Sequence, residues 1–352
     1  MSLTVSALPL AGGDDLATGA TSSIGTPLLW GLTIAGVLLL FALDFVLTRK
    51  PHEVSMKEAA GWSAFYIAIP LAYGGWIWSR YGGQQGLEYY TGYLVEKTLS
   101  VDNLFVFMLL LAAFAVPEVL KQRVLLYGIV GALVLRGIFI ALGAAALSRF
   151  DWVFLIFGLV LLATGVKLLR DAIRGNEHEV EVSDMRVVKL MRRIMPVTDD
   201  YEGAKLTVVK NGARALTPFA LVTVAVFATD VVFAVDSVPA VYGITGDPYL
   251  VFVTNAFALL GLRALYFVLE GALGALEHLS YGLAAILGFI GFKLVLHWAH
   301  LVWPSVPDVP TLMSLFVIVG ILAITVTTSL IANKRKKAAR ASDSTDEPVG
   351  TH

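Results

Sequence analysis

Nine stretches of this chain are long and apolar enough to be read as membrane-crossing helices: 28–48, 58–79, 90–115, 123–147, 152–171, 217–243, 249–269, 280–300 and 311–332. A helix of ~20 apolar residues matches the thickness of the bilayer's hydrocarbon core. The runs are continuous rather than alternating, which selects helices over a β-barrel. Composition agrees. The 352 residues are 57% hydrophobic and 15% charged, with mean hydropathy +0.76. A soluble domain sits near ~45–50% apolar and ~25% charged. The expected fold is therefore all-α and polytopic. Cysteine is absent, which removes disulfides, thiolate nucleophiles, Fe–S clusters and Cys-type zinc sites. The net charge is −1, and the lysines and arginines at the membrane margins do not form a nucleic-acid surface. No nucleophile–base pair or nucleotide loop marks an enzyme.

Loop charge gives the expected orientation. With the N-terminus outside, 18 of the 26 Lys and Arg fall in inside segments, while the outside loops hold only Arg80 and Arg149. The positive-inside rule then places the N-terminus outside and the C-terminus in the cytoplasm of a cell (inner or plasma) membrane. Residues 1–27 carry Asp14 and Asp15 without a basic leader and read as a disordered external segment; 333–352 reads as a disordered basic tail. The segment 172–216 is the one long loop of the 28–332 membrane domain. Val187, Leu190, Met191 and Ile194 recur there at helical spacing between Arg186, Lys189, Arg192 and Arg193. Ser183-Asp184 could cap this helix and Pro196 stop it. It would lie on the anionic leaflet or pack on neighbouring loops; the sequence leaves both open. Asn211-Gly212 between Leu206–Val209 and Arg214–Leu216 predicts a small hairpin.

The chain resembles itself. In Glu96–Asn103 and again in Asp230–Ser237, an acid is followed six residues later by the Asp of Val-Asp-(Asn/Ser). The next span in each copy carries one arginine, Leu135-Arg136 and Leu262-Arg263, and the one after ends in Gly165-Val166-Lys167-Leu168 or Gly291-Phe292-Lys293-Leu294. Three matches occur in one order, at offsets of 134, 127 and 126. Each copy, about 90–171 and 217–300, has three spans, so the second enters the membrane from the opposite side. Inverted repeats of this kind build transporters whose sites lie near the midplane.

Ionisable residues in hydrocarbon cost roughly 2.5–3.5 kcal/mol each and need a partner or water. The acids are Asp44, Glu96, Asp102, Asp230 and Asp236; the bases are Lys97, Arg136, Lys167, Arg263 and Lys293. The bland alternative is a set of structural ion pairs joining the repeats. The sharper reading starts from spacing: Glu96, Ser100 and Asn103 share one helix face, as do Asp230, Ala234 and Ser237, with Asp102 and Asp236 to the side. Carboxylate, amide and hydroxyl oxygens suit a hard divalent cation such as Mn²⁺, Mg²⁺ or Ca²⁺. Asp102 and Asp236 are the expected principal ligands, with Glu96, Asp230, Asn103 and Ser237 around them and Asp44 as an additional candidate. Arg136, Arg263, Lys167 and Lys293 are expected to balance charge. His297 and His300 read as interfacial anchors beside Trp298 and Trp303.

At these residues the chain resembles the TerC family, in particular its Alx-type members. The stretches that carry the likeness are Thr91–Phe107, Phe233–Ala240 and Asn255–Phe267, with Thr26–Trp30 and Lys210–Gly212. It extends over about 26–332. The resemblance implies polytopic membrane proteins first tied to tellurite resistance. Its Alx-type members are linked to manganese export and alkaline-pH response, and some relatives to metal loading of secreted proteins near the translocon. By matching motif, Glu96, Asp102, Asn103, Asp230, Asp236 and Ser237 inherit the candidate site. Family members commonly carry Glu three residues before the acid matched by Asp230; here that position is Phe227. The expectation is a nine-span exporter of Mn²⁺, with the ion as cargo and no permanently bound cofactor, possessing a bilayer and a divalent ion as its partners. Its rivals are a non-transporting partner of the secretion machinery or of metalloproteins, and a tellurite-stress protein.

Overall fold

A computed structural model describes residues 23–47, 55–174, 186–198, 200–210, 213–271 and 278–343. The described residues form eleven helices and one hairpin: α1 Pro27–Leu47, α2 Met56–Tyr81, α3 Gly83–Ala113, α4 Glu118–Leu147, α5 Trp152–Arg174, α6 Arg186–Ile194, β1 Thr207–Lys210, β2 Ala213–Leu216, α7 Pro218–Tyr242, α8 Pro248–Leu259, α9 Leu262–Gly271, α10 Leu279–Val302 and α11 Thr311–Asp343. Local chemistry sets several starts. The Ser55, Thr217 and Asp247 side chains accept from the backbone N–H of Glu58, Ala220 and Tyr249, and Pro218 and Pro248 open their helices with φ already set. Gly82, at φ 102, turns α2 into α3.

The described residues contain six helices long and apolar enough to cross a membrane: α1, α4, α5, α7, α10 and α11. The pair α8 and α9, bent by 44°, makes a seventh if it counts as one broken span. The remaining two of the nine expected spans, α2 and α3, have the length, 26 and 31 residues, but not the purity. Glu96, Lys97 and Asp102 interrupt α3, and α2 is rich in Gly, Ser, Trp and Tyr.

Residues 249–269, expected as one span, break at Leu260–Gly261. Gly261 sits at φ +78, and a Cβ there would lie 2.4 Å from Cβ of Tyr66, so neither conformation nor space admits a side chain. The tail, expected to be disordered from 333, continues α11 as helix to Asp343. Residues 23–26, expected to be part of a disordered lead-in, are tied down: the Ser23 hydroxyl and the Ile24 N–H (2.8 Å) donate to Asp247 at the start of α8.

Helix α3 is central, packing on α2, α7 and α8. α4 lies on α7, and α5 on α10. Glycines permit this last approach: a Cβ on Gly158 would come 2.8 Å from the Gly291 carbonyl oxygen, and one on Gly165 3.1 Å from that of Ala284. Between α5 and α7, α6 is held to α7 with Val188 buried, while Leu190 and Ile194 are exposed. β1 and β2 pair antiparallel, Thr207 opposite Leu216. The expected cap at Ser183-Asp184 and the turn at Asn211-Gly212 lie outside the described residues.

Candidate cation site

Arg136, on α4, is fully buried and faces both α3 and α7. Its Nε and Nη2 donate to the two oxygens of Asp230 at 3.1 and 3.0 Å, and Nη1 donates to Glu96 Oε1. With the Asn103 amide turned so that its oxygen faces the guanidinium, that oxygen accepts from Nη2 at 3.3 Å and its nitrogen donates to the Leu99 carbonyl at 3.1 Å. One arginine thus bridges the first acid of each repeat. The fork geometry of guanidinium suits two carboxylates, and their attraction offsets the cost of burying the charges. One cation faces two buried acids, so the cluster is rich in oxygen and carries one excess negative charge if both acids are ionised.

Several oxygens around this pair are left over. Glu96 Oε2 and the hydroxyls of Ser100 and Ser237 are buried without a hydrogen-bond partner. The Ser237 hydroxyl faces the Glu96 carboxylate. Buried polar atoms are normally satisfied, so a group of unsatisfied oxygens beside two carboxylates marks a place that can receive a cation. Among the described residues, however, no three carboxylate or imidazole side chains are arranged to hold a metal ion.

The other predicted residues are not among the partners of Arg136. Asp102 is buried on α3, about 120° round the helix from Glu96. Asp236 is half-buried and turns to α5, where it accepts from the Thr164 hydroxyl at 2.8 Å and lies within electrostatic reach of Lys167. Lys293 is buried within reach of Glu88 and Asp308. Arg263, expected to balance charge, pairs with Asp44 of α1: Nη2 lies 2.7 Å from Oδ1 and Nε 3.0 Å from Oδ2, and the Tyr66 hydroxyl donates to the same carboxylate at 3.2 Å. The repeat fixes where the arginine falls in sequence but not its partner, because the break at Gly261 puts Arg263 at the head of a separate helix.

His297 and His300, expected as interfacial anchors, order the α10–α11 connection: His297 Nδ1 is 2.9 Å from Asp308 Oδ2, and His300 Nδ1 donates to the Val306 carbonyl. Burial pushes the Asp308 carboxyl up, but the His297 hydrogen bond and charge outweigh it and hold it below its ordinary range.

Asn255 and the contacts made by Lys97 and Phe227 escape the sequence reading. Lys97 donates to the Ala258 carbonyl at 3.3 Å, serving the end of α8 where the break frees backbone acceptors. Asn255 is buried on α8 with neither amide atom hydrogen-bonded; its signal was a lone amide inside an apolar run. Phe227 packs its ring against Gly131 of α4.

A model of the integral membrane protein TerC family matches residues 81–337. An uncharacterized membrane protein of Myxococcus xanthus, STKORF319, is 40% identical over 320 residues, 91% of this chain and 97% of its own. Alx of Salmonella typhi, named as a candidate membrane-bound redox modulator, is 40% identical over 332 residues, 91% of this chain and 99% of its own. Alx of Escherichia coli K12, named the same way, is 40% identical over 330 residues, again 91% and 99%. No solved structure matches the chain.

Proposed function

The chain belongs to the TerC family of integral membrane proteins, and from that premise we propose that it exports a divalent metal ion, Mn²⁺, from the cytoplasm. The observation that carries the proposal is the meeting of Glu96 and Asp230, equivalent acids of the two sequence copies, at Arg136, with unsatisfied buried oxygens beside them. Arg136 acts as a resident cation that occupies both carboxylates between passages of cargo. An arriving divalent ion competes with the guanidinium for the same oxygens, and Asn103, Ser100 and Ser237 extend its shell. Asp102 and Asp236 serve as the ligands on either side of that centre. The oxygen donor set selects a hard cation; the choice of Mn²⁺ among these rests on the family resemblance.

Inverted-repeat architecture is part of the proposal, and the helix packing supports it. Exchanging α3, α4 and α5 for α7, α8 and α10 turns the α4–α7 contact into the α8–α3 contact, and α5–α7 into α10–α3. All four occur. In this reading α2 and α3 also cross the membrane, giving nine spans with α8 and α9 as one. The basic loops place the N-terminus outside and the C-terminus in the cytoplasm of the cell membrane.

One observation favours a second reading, a non-transporting partner in insertion or metallation of secreted proteins: Leu190 and Ile194 are exposed on α6 beside exposed basic side chains. A redox or tellurite-stress role would need to act without thiols, since the chain has no cysteine. Uptake of Mn²⁺, Mg²⁺ and Ca²⁺ into proteoliposomes of the purified full chain, with and without a pH gradient, separates the readings. The exporter reading expects saturable Mn²⁺ flux; flux of none of the three ions would overturn it.

A further inference from the structure

A shallow open groove runs along one face of α5, lined by residues of that helix alone. Its first half is apolar, made by Leu159, Leu162 and Val166, with Leu159 and Val166 more than half exposed. Its second half is basic, made by Lys167, Arg170 and Arg174. At 1.5 Å rise per residue, Leu159–Val166 covers roughly 10 Å and Val166–Arg174 roughly 12 Å, so an acyl-depth stretch is followed by a headgroup-depth stretch. Asp171 also lines the groove, leaving three cations against one acid. Among the described residues, none of the four forms an ion pair within 4.0 Å.

We propose that this face of α5 binds one anionic phospholipid of the cytoplasmic leaflet, with an acyl chain along Leu159–Val166 and the phosphate between Arg170 and Arg174. Two features select this occupant. The apolar and basic halves follow one another along one membrane helix in the order of a phospholipid's tail and headgroup. The net positive charge discriminates an anionic headgroup from a zwitterionic one, and basic clusters at the cytoplasmic end of membrane helices are suited to that task. The site also adjoins the transport machinery. Lys167 lies between the groove and Asp236, so a bound phosphate would draw Lys167 toward itself and weaken its hold on that carboxylate.

The test is lipid retention by the full chain, purified in neutral detergent, titrated with dioleoylphosphatidylglycerol or dioleoylphosphatidylcholine and read by native mass spectrometry. The wild type is expected to retain one phosphatidylglycerol about tenfold more readily than phosphatidylcholine, because the basic half attracts only the anionic headgroup. Arg170→Gln with Arg174→Gln should abolish that preference while the melting temperature stays unchanged, because among the described residues neither side chain forms an ion pair that would be lost. Asp171→Asn should strengthen retention. Lys205→Gln with Lys210→Gln, which removes two bases elsewhere, should leave it intact. Equal retention of both lipids by the wild type overturns the proposal. So does undiminished preference in the Arg170/Arg174 variant, weaker retention in Asp171→Asn, or an equal loss in the Lys205/Lys210 variant.

Discussion

Arg136 is the residue on which the bundle's electrostatics turn. Truncating one partner of a buried charge cluster leaves the remaining charges uncompensated, at a cost of about 3–5 kcal/mol. Arg136→Gln should therefore fail to accumulate, or melt far below wild type in detergent. Adding Glu96→Gln and Asp230→Asn should restore much of the loss; a single Arg136→Gln that melts like wild type would show that the bridge carries no stability. The same logic separates the second arginine from the site. Arg263→Gln should be rescued by Asp44→Asn on α1 and not by Asp230→Asn, measured as recovery of monodisperse protein. The sequence made the acids and arginines legible because each is a charge in an apolar run. It placed Glu96 and Asp230 as equivalent positions of two copies. It could not reveal which arginine meets which acid, since that depends on helix rotation and on the break at Gly261. Lys97 illustrates the same limit: its partner is a backbone carbonyl, which has no signature in sequence.

The elements were legible to within a few residues where apolar runs are long and capped by Ser, Thr, Asp or Pro, as at Ser55, Thr217 and Asp247. The break between α8 and α9 was not, because Leu-Leu-Gly-Leu reads as a continuous apolar segment and only the backbone shows φ +78 at Gly261. Where α5 meets α10, a methyl group has nowhere to go: on Gly291 it would lie 2.8 Å from the Gly158 carbonyl oxygen. Gly291→Ala should thus cost about 1–3 kcal/mol, as overpacking does, and lower the melting temperature, whereas Gly288→Ala, with nothing within 4 Å, should leave it unchanged. The connection between α10 and α11 has a pH dependence of definite sign. Asp308 is held below its ordinary range by His297, so its contribution to stability is present above the unfolded value of about 3.9 and is lost as pH falls through the lower folded value. The protection factors of the amides in residues 303–310, corrected for intrinsic exchange, should fall on acidification through that range, and Asp308→Asn should remove that component of the fall.

At the scale of the molecule, composition alone specified a membrane-embedded helical bundle. The α4–α7 and α5–α7 contacts have counterparts in α3–α8 and α3–α10, while the arginine of the second copy serves α1. Orientation is testable without background because the chain has no cysteine. Ser305→Cys in intact cells should react with an impermeant thiol reagent and Ser183→Cys should not; labelling of Ser183→Cys would reverse the proposed topology. The central claim is that the cargo passes through the carboxylates bridged by Arg136. Glu96→Gln is the cleanest probe, because it leaves Arg136 opposite Asp230 as a balanced pair and so should preserve the fold while removing one ligand. Mn²⁺ flux into proteoliposomes, compared at equal reconstituted protein and equal melting temperature, should fall to the level of empty vesicles for Glu96→Gln while wild type transports. Wild-type flux through a folded Glu96→Gln would contradict the account.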